Sequence, residues 1–190
     1  MQLQLVHVLN RLFDILLKRG LLLLRPILPA ARFRQLQCRF YSHMGIRING
    51  TPRFIGLTAR FDTSAIIEIQ AGVTISEGVI VLTHDYSIVN AQISATGSSP
   101  GLPFVGDVII CRNSFVGLNS IIMPGTHIGV NVIVAAGSVV TGIIKDGLVV
   151  AGVPARPIGT TAQLAERSLL PVANKRIRLP NRNAHFVSLG

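Results

Sequence analysis

One histidine stands where the pattern around it asks for glycine or asparagine. It is His84, in Val81-Leu82-Thr83-His84-Asp85-Tyr86. An imidazole is the side chain whose free base is plentiful near pH 7. An alcohol is a poor nucleophile at that pH, and a positioned base that takes its proton contributes about 10²–10⁴ in rate. Asp85 follows directly in sequence. Adjacent residues rarely orient each other's rings, so Asp85 is expected to contact a substrate or to turn the chain. The sequence offers no evident orienting carboxylate for His84, and Glu77 or a backbone carbonyl is left to serve. His127 flanks a corner of the same pattern and reads as structural. With only these two histidines in the pattern, a three-histidine zinc site has too few ligands, and no metal is expected.

That pattern is a period of six. Ile110, Val116, Ile122, Ile128, Val134 and Val140 are all β-branched and aliphatic. The step fits neither the 3.6 of an amphipathic helix nor the 2 of a half-buried strand. A short fixed repeat of this kind marks a solenoid of stacked coils. Three residues after each aliphatic position come Asn113, Asn119, Gly125, Asn131 and Gly137. Glycine and asparagine enter left-handed turn conformations at least cost. Four residues after come Ser114, Ser120, Thr126, Val132 and Ser138. The rule therefore describes short flat strands joined at corners, three sides to a coil, with the aliphatic column inside. It extends back through Val81, Ile75 and Ile69 and, weakly, to Leu57. Cys111 occupies a small-residue column, so packing accounts for it. Cys38 lies far from it, and the two make neither a metal spacing nor a disulfide framework.

His84 takes the turn position after Val81, and the register is then lost until Phe104 and Ile110. Residues 87–103 hold Asn90, Gly97, Ser98, Ser99, Pro100, Gly101 and Pro103, a loop composition. An excursion of that length from a regular coil is usually functional or disordered, and its start at a histidine favours function. After Val140 the pattern relaxes, and Leu148 to Val153 reads as a last strand before Pro154 to Pro157 leave the coil.

Three stretches carry a resemblance to a known family. They are Val116-Gly117-Leu118-Asn119-Ser120-Ile121-Ile122-Met123-Pro124-Gly125-Thr126-His127-Ile128-Gly129, Val134 to Thr141, and Ala151-Gly152-Val153-Pro154-Ala155-Arg156. The chain resembles the hexapeptide-repeat acyltransferases over about residues 57 to 159, in a pattern similar to that of sugar O-acetyltransferases. The resemblance implies a left-handed parallel β-helix, an exception to the usual right-handed crossover. It implies that His84 takes the proton of an acceptor hydroxyl, whose oxygen attacks the thioester of acetyl-CoA directly. Backbone N–H groups at the coil corners would hold the oxyanion. It implies coenzyme A along an outer groove between subunits of a homotrimer, at Leu118, Ala136 and Thr141. Arg156 matches the basic residue that meets the nucleotide phosphates, a role suited to guanidinium. Many relatives carry lysine just after the Thr141 position; here Gly142 stands there, with Lys145 nearby. The acceptor expected is a sugar hydroxyl of a cell-surface polysaccharide or a lipid-linked precursor. N-acylation of an amino sugar is a close variant, and a non-catalytic scaffold would need neither His84 nor Arg156.

The flanks differ from the coil in charge. Residues 1–60 carry ten Arg or Lys against one acid, residues 61–159 three against six, and residues 160–190 five against one, for a net charge of +10. Basic ends suit an anionic membrane, an acidic glycan or a nucleic acid. No nucleic-acid-binding motif accompanies them, and no such partner is expected. Residues 3–24 are apolar but are interrupted by Arg11, Asp14, Lys18 and Arg19, which argues against a membrane span. Arg25-Pro26-Ile27-Leu28-Pro29 is not a small-residue cleavage site. Leu5, Val8, Leu9, Leu12 and Leu16 recur at helical spacing. The expected organisation is a basic helical segment over 1–45, a β-helix over 46–159 with a loop at 85–103, and a helix and basic tail over 160–190. Residues 1–29 are expected either to contact a membrane peripherally or to pack on the protein. The location expected is cytoplasmic, at or near the inner face of the membrane.

Overall fold

A computed structural model describes residues 17, 20, 21, 23–98 and 101–169, with side chains through 167. The helical reading of residues 1–16 and the tail beyond 169 lie outside the described residues.

The aliphatic column does what its spacing asks. Ile110, Val116, Ile122, Ile128, Val134 and Val140 are all fully buried, as are Ile69, Ile75 and Val81. Each fills the interior of a three-sided coil and stacks on its counterpart in the next. Burying one such side chain contributes roughly 1.5–3 kcal/mol. The first side is built from β1 (Arg47–Asn49), β4 (Ile67–Gln70), β9 (Val108–Ile110), β12 (His127–Ile128) and β15 (Ile143–Ile144). The second holds β2 (Phe54–Ile55), β5 (Thr74–Ile75), β10 (Phe115–Val116), β13 (Ile133–Val134) and β16 (Leu148–Gly152). The third holds β3 (Arg60–Phe61), β6 (Ile80–Val81), β11 (Ile121–Ile122) and β14 (Val139–Val140). All pairings along these sides are parallel, and the whole is a left-handed β-helix of about five coils.

The corners follow from residue type. Asn113, Asn119 and Asn131 adopt φ of 61°, 56° and 56°. Ser114, Ser120, Thr126 and Ser138, each one residue past a corner, are buried, and their hydroxyls donate to coil carbonyls at 2.6–3.0 Å. Small polar residues are needed there because a buried hydroxyl must find a partner within the turn. Gly117 is required for another reason. A Cβ on it would lie 2.5 Å from Ala136 N in the next coil. Backbone cannot yield there, so Gly117→Ala is expected to cost about 1–3 kcal/mol. Thermal unfolding should then fall by roughly 2–12 °C in a chain of this size, and an unchanged melting temperature would contradict the packing.

Helix α1 (Ala30–His43) closes the N-terminal end. Tyr41 is fully buried and its hydroxyl donates to Gly56 O at 3.0 Å, while Gln37 Nε2 donates to Ile55 O at 2.5 Å. The Tyr41 ring meets Phe40 and Phe61 edge-on, at 5.2 Å between centroids in both pairs. These donors serve first-coil carbonyls, and the helix covers a coil end that would otherwise invite another chain.

Two expectations need correction, and the first coil escapes the repeat. The coil begins at Arg47, ahead of the weak start of the six-residue repeat at Leu57, since Ile48 pairs with Ile69 and Ile55 with Ile75. Those steps are longer than the regular eighteen residues from Ile110 to Ile128, so a period of six misses them. Within the stretch read as loop, Ser87–Thr96 forms helix α2. Its ten residues contain no Gly or Pro; the breakers lie beyond, and Gly97 ends the helix at φ 72°. Finally, the chain does not leave after Gly152. Ala155–Thr160 (β17) folds back antiparallel on β16, and α3 (Thr161–Leu169) follows, anchored by Thr161 N to Gly147 O at 2.8 Å.

Candidate active site

Successive coils bring Asp62 to His84. Pairing of Phe61 with Val81 fixes the register of the first coil against the second, so the residues that follow each strand share one corner. Asp62 Oδ2 lies 2.5 Å from His84 Nδ1 and accepts from the backbone N–H of Thr83 at 2.9 Å and of His84 at 3.1 Å. Its other oxygen accepts from Ser64 Oγ at 2.7 Å. Thr83, fully buried, donates its hydroxyl to Asp62 O at 2.7 Å and accepts from Ala65 N at 3.1 Å. A carboxylate only accepts, so Nδ1 carries the proton. Nε2 is then an open lone pair, with no partner among the described residues. The His84 side chain is 37% exposed and that of Asp62 19%. The imidazole is thus held by its inner nitrogen and presented by its outer one, the arrangement a general base needs.

Burial alone would raise the Asp62 carboxyl. The hydrogen bonds from Ser64, Thr83 and His84 outweigh it and hold the group well below the ordinary carboxylate range. A carboxyl depressed on folding contributes stability that is complete above its unfolded pKa of about 3.9. That contribution is lost as the pH falls toward the folded value. Asp62→Asn should therefore flatten the acid limb of a plot of melting temperature against pH. A limb as steep as that of the wild type would remove Asp62 as its source.

The excursion opens directly from this histidine. His84–Asp85 (β7) pairs antiparallel with Phe104–Val105 (β8), and Gly106 N donates to Thr83 O at 2.9 Å, which pinches the base shut. From Tyr86 to Gly106 there is no charged residue. Tyr86, Ile88, Ile93, Leu102, Phe104 and Val105 are all exposed. The Tyr86 ring stands edge-on to His84, 5.6 Å between centroids. Asp85 Oδ1 accepts from Ser87 N at 2.8 Å, just ahead of α2. Bonds from Ser87 hold this exposed carboxyl below its ordinary range.

Glu77, left open as the group orienting His84, does not touch it. Its carboxylate accepts from Thr58 N at 2.8 Å and Thr58 Oγ1 at 2.6 Å, and meets Arg25 at 3.8 Å. Asp62 takes that part, and sequence reasoning missed it. His127 is exposed on β12, with Nε2 3.3 Å from the Sγ of buried Cys111. No group of three or more metal-ligating side chains occurs among the described residues.

The remaining candidates fall on two corners. Leu118 and Ala136 stack at the corner between the second and third sides, where Gly137 N donates to Leu118 O at 2.8 Å. Arg156, exposed and opposite Ala151 in the hairpin, stands above the same corner. Thr141 follows β14 at the other edge of the third side, the edge that holds His84. Within one chain the third side separates His84 from Leu118, Ala136 and Arg156. On that side lies a depression of about 420 Å³ lined by Arg60, Phe61, Asp62, Ile80, Leu82 and Ile121.

Residues 107–142 match the family profile described as hexapeptide repeat of succinyl-transferase. Over 101 residues the chain is 31% identical to YvoF of Bacillus subtilis, which bears the name of an acetyltransferase; the match covers 53% of this chain and 52% of that protein. Over 132 residues it is 30% identical to WbbJ of Escherichia coli, named for O-acetyl transfer in lipopolysaccharide biosynthesis, covering 63% of this chain and 67% of that one. A hexapeptide-repeat acetyltransferase of Vibrio cholerae, solved with acetyl-coenzyme A, superimposes with a TM-score of 0.52 at 26% identity over 60% of each chain. The chain therefore spans about half the length of the first of these curated relatives and two thirds of the second.

Proposed function

Because the chain belongs to the hexapeptide-repeat acyltransferase family, we propose that it moves an acetyl group from acetyl-CoA to a sugar hydroxyl, with His84 as general base. One observation carries the proposal: Asp62 fixes the proton on Nδ1 and leaves Nε2 open at the mouth of the excursion. Nε2 takes the proton of the acceptor hydroxyl while its oxygen bonds to the thioester carbonyl carbon. The tetrahedral oxyanion is met by backbone N–H groups at the coil corners. Its collapse breaks the C–S bond, and the imidazolium returns its proton to the coenzyme A thiolate. No acyl-enzyme forms and no metal enters the reaction.

The excursion supports a neutral acceptor. Uncharged from Tyr86 to Gly106, it offers the Tyr86 ring edge-on to the base and exposed Phe104 and Val105 on the paired strand, which suits a sugar better than an ionic substrate. WbbJ is named for transfer to oxygen, and that favours a hydroxyl acceptor over the amine of an amino sugar. The separation of His84 from Leu118 and Ala136 by one side of the coil supports a site completed by a second subunit, in a homotrimer. Leu118, Ala136 and Thr141 would then line the pantetheine arm, Arg156 would meet the phosphates, and Asp85 would touch the acceptor while starting α2.

Calorimetry with acetyl-CoA tests the donor. Wild type and His84→Ala should bind alike. Arg156→Ala should bind on the order of tenfold more weakly, the effect of one lost charge-assisted bond. Absence of binding to the wild type would remove acetyl-CoA as the donor, and an unaffected Arg156→Ala would remove that residue from its site.

A further inference from the structure

From residue 15 to residue 61 the chain carries nine Arg or Lys and no acid. The same stretch exposes large aliphatic side chains. Leu23 is 73% and Ile27 72% exposed, with Leu17 and Leu24 also open to solvent. Behind them a cavity of about 390 Å³ is lined by Leu17, Leu21, Leu24, Leu36 and Phe40, with Arg39 and His43. A second, of about 140 Å³, is lined by Leu28, Phe33 and Phe54 together with Arg25, Arg34 and Arg53. Arg25 meets Glu77; Arg34 and Arg53 have no carboxylate partner among the described residues.

These cations call for anions, and a second copy of this chain has few to offer. Each of the six acids between 61 and 159 already accepts an internal hydrogen bond. Asp62 serves His84, Glu68 serves Asn49 and Gln70, and Glu77 serves Thr58. Asp85, Asp107 and Asp146 accept from the backbone N–H of Ser87, Ile66 and Val130. Glu166 is the one other acid among the described residues. A nucleic acid would supply phosphates, but exposed Leu and Ile give its bases nothing to stack on. Aliphatic side chains set among arginines match the boundary of a bilayer, where acyl chains lie beneath phosphates.

We propose that residues 23–43 form a docking surface for a bilayer bearing anionic phospholipids. Leu23 and Ile27 enter the acyl boundary, and Arg32, Arg34 and Arg39 lie at the phosphates. The segment is fastened to the first two coils, through Arg25 against Glu77 and over the Phe54 ring at 5.9 Å. Those two coils also carry Asp62 and His84, so docking holds the candidate active site beside the membrane and its lipid-borne glycans. No helix among the described residues is long and apolar enough to cross a membrane. The proposal does not depend on the acyl-transfer reading.

Flotation of the full chain decides it. Vesicles of phosphatidylcholine and phosphatidylglycerol in equal parts should carry the protein upward, and vesicles of phosphatidylcholine alone should not. Salt should release it, since screening shortens electrostatic reach to about 10 Å at 0.1 M and less above. Leu23→Asp with Ile27→Asp should lower the bound fraction on the order of tenfold or more. Arg32→Gln with Arg39→Gln should lower partitioning about fivefold for each arginine. All four side chains are exposed, and if the aspartate pair melts early the arginine pair decides. A chain that stays at the bottom with both vesicles overturns the proposal, as does equal binding to both or undiminished binding by both double variants. If light scattering shows that the aspartate pair dissociates an oligomer, the face is a subunit interface and the proposal fails.

Discussion

Replacing His84 by alanine lowers the turnover of acetyl transfer by about 10²–10⁴, the contribution of one positioned base. The loss falls on kcat, while acetyl-CoA binding stays as in the wild type. That split follows from the geometry. Nδ1 is committed to Asp62, and Nε2 is open at the mouth of the excursion, across the third side from Leu118, Ala136 and Arg156. Alanine there also leaves the coil intact, because His84 lies in the ribbon with Val105 and not at a corner that requires a left-handed backbone. The assay is release of free thiol with a sugar acceptor, alongside calorimetry on the same preparation. Undiminished turnover would end the general-base reading and leave His84 as a surface residue at the foot of a loop.

Asp62→Asn lowers turnover nearly as far, by roughly 10²–10⁴, although Asp62 acts through the inner nitrogen of His84. The reason is the identity of the proton. A carboxylate at 2.5 Å from Nδ1 requires N–H on that nitrogen. An asparagine there can present its own N–H₂, which turns the imidazole to the opposite tautomer and puts the proton on Nε2. The base is then blocked at the atom that must receive a proton. Asp62→Ala removes the instruction without reversing it and should be the milder of the two in turnover. Pre-steady-state measurement should show proton transfer slowed with KM for acetyl-CoA unchanged. If Asp62→Asn and Asp62→Ala raise KM and leave kcat alone, Asp62 serves binding and not positioning.

The regular half of the fold was legible because one rule governs it. From Ile110 to Val140 each corner takes the residue that its backbone demands, and Asn113, Asn119 and Asn131 show the positive φ that the column implies. The first coils obey a looser rule. Phe61 pairs with Val81 across twenty residues, so neither a step of six nor one of eighteen connects Asp62 to the neighbourhood of His84. The carboxylate was in plain view, with no period to join it to the histidine. Counting back from Val81 by the length of the irregular coil would have found it. Helix α2 was hidden by its surroundings and by its own residues: Gly97 to Pro103 gave the excursion a loop's composition, and seven of the ten helical residues are Ser, Ile, Val, Asn or Thr, which carry little helix preference. Whether other subunits complete the coenzyme A groove is written in surfaces, and residue spacing along one chain does not encode it.

A regular coil takes the same eighteen residues each time, as the pairing of Ile110 with Ile128 shows. Chain length therefore acts on this fold as a reading frame acts on a message. Deleting one residue between Ile128 and Val134 turns every later aliphatic column out of register with the interior. Deleting eighteen together removes one coil and leaves the frame intact. The segment between Asp85 and Gly106 stands outside the frame, closed at its base by two short strands. A change of length there leaves every column of the coil in register, whereas one between Ile110 and Val140 shifts all that follow. Length is thus free to vary in the one segment that opens beside His84, while the rest of the regular coil keeps time.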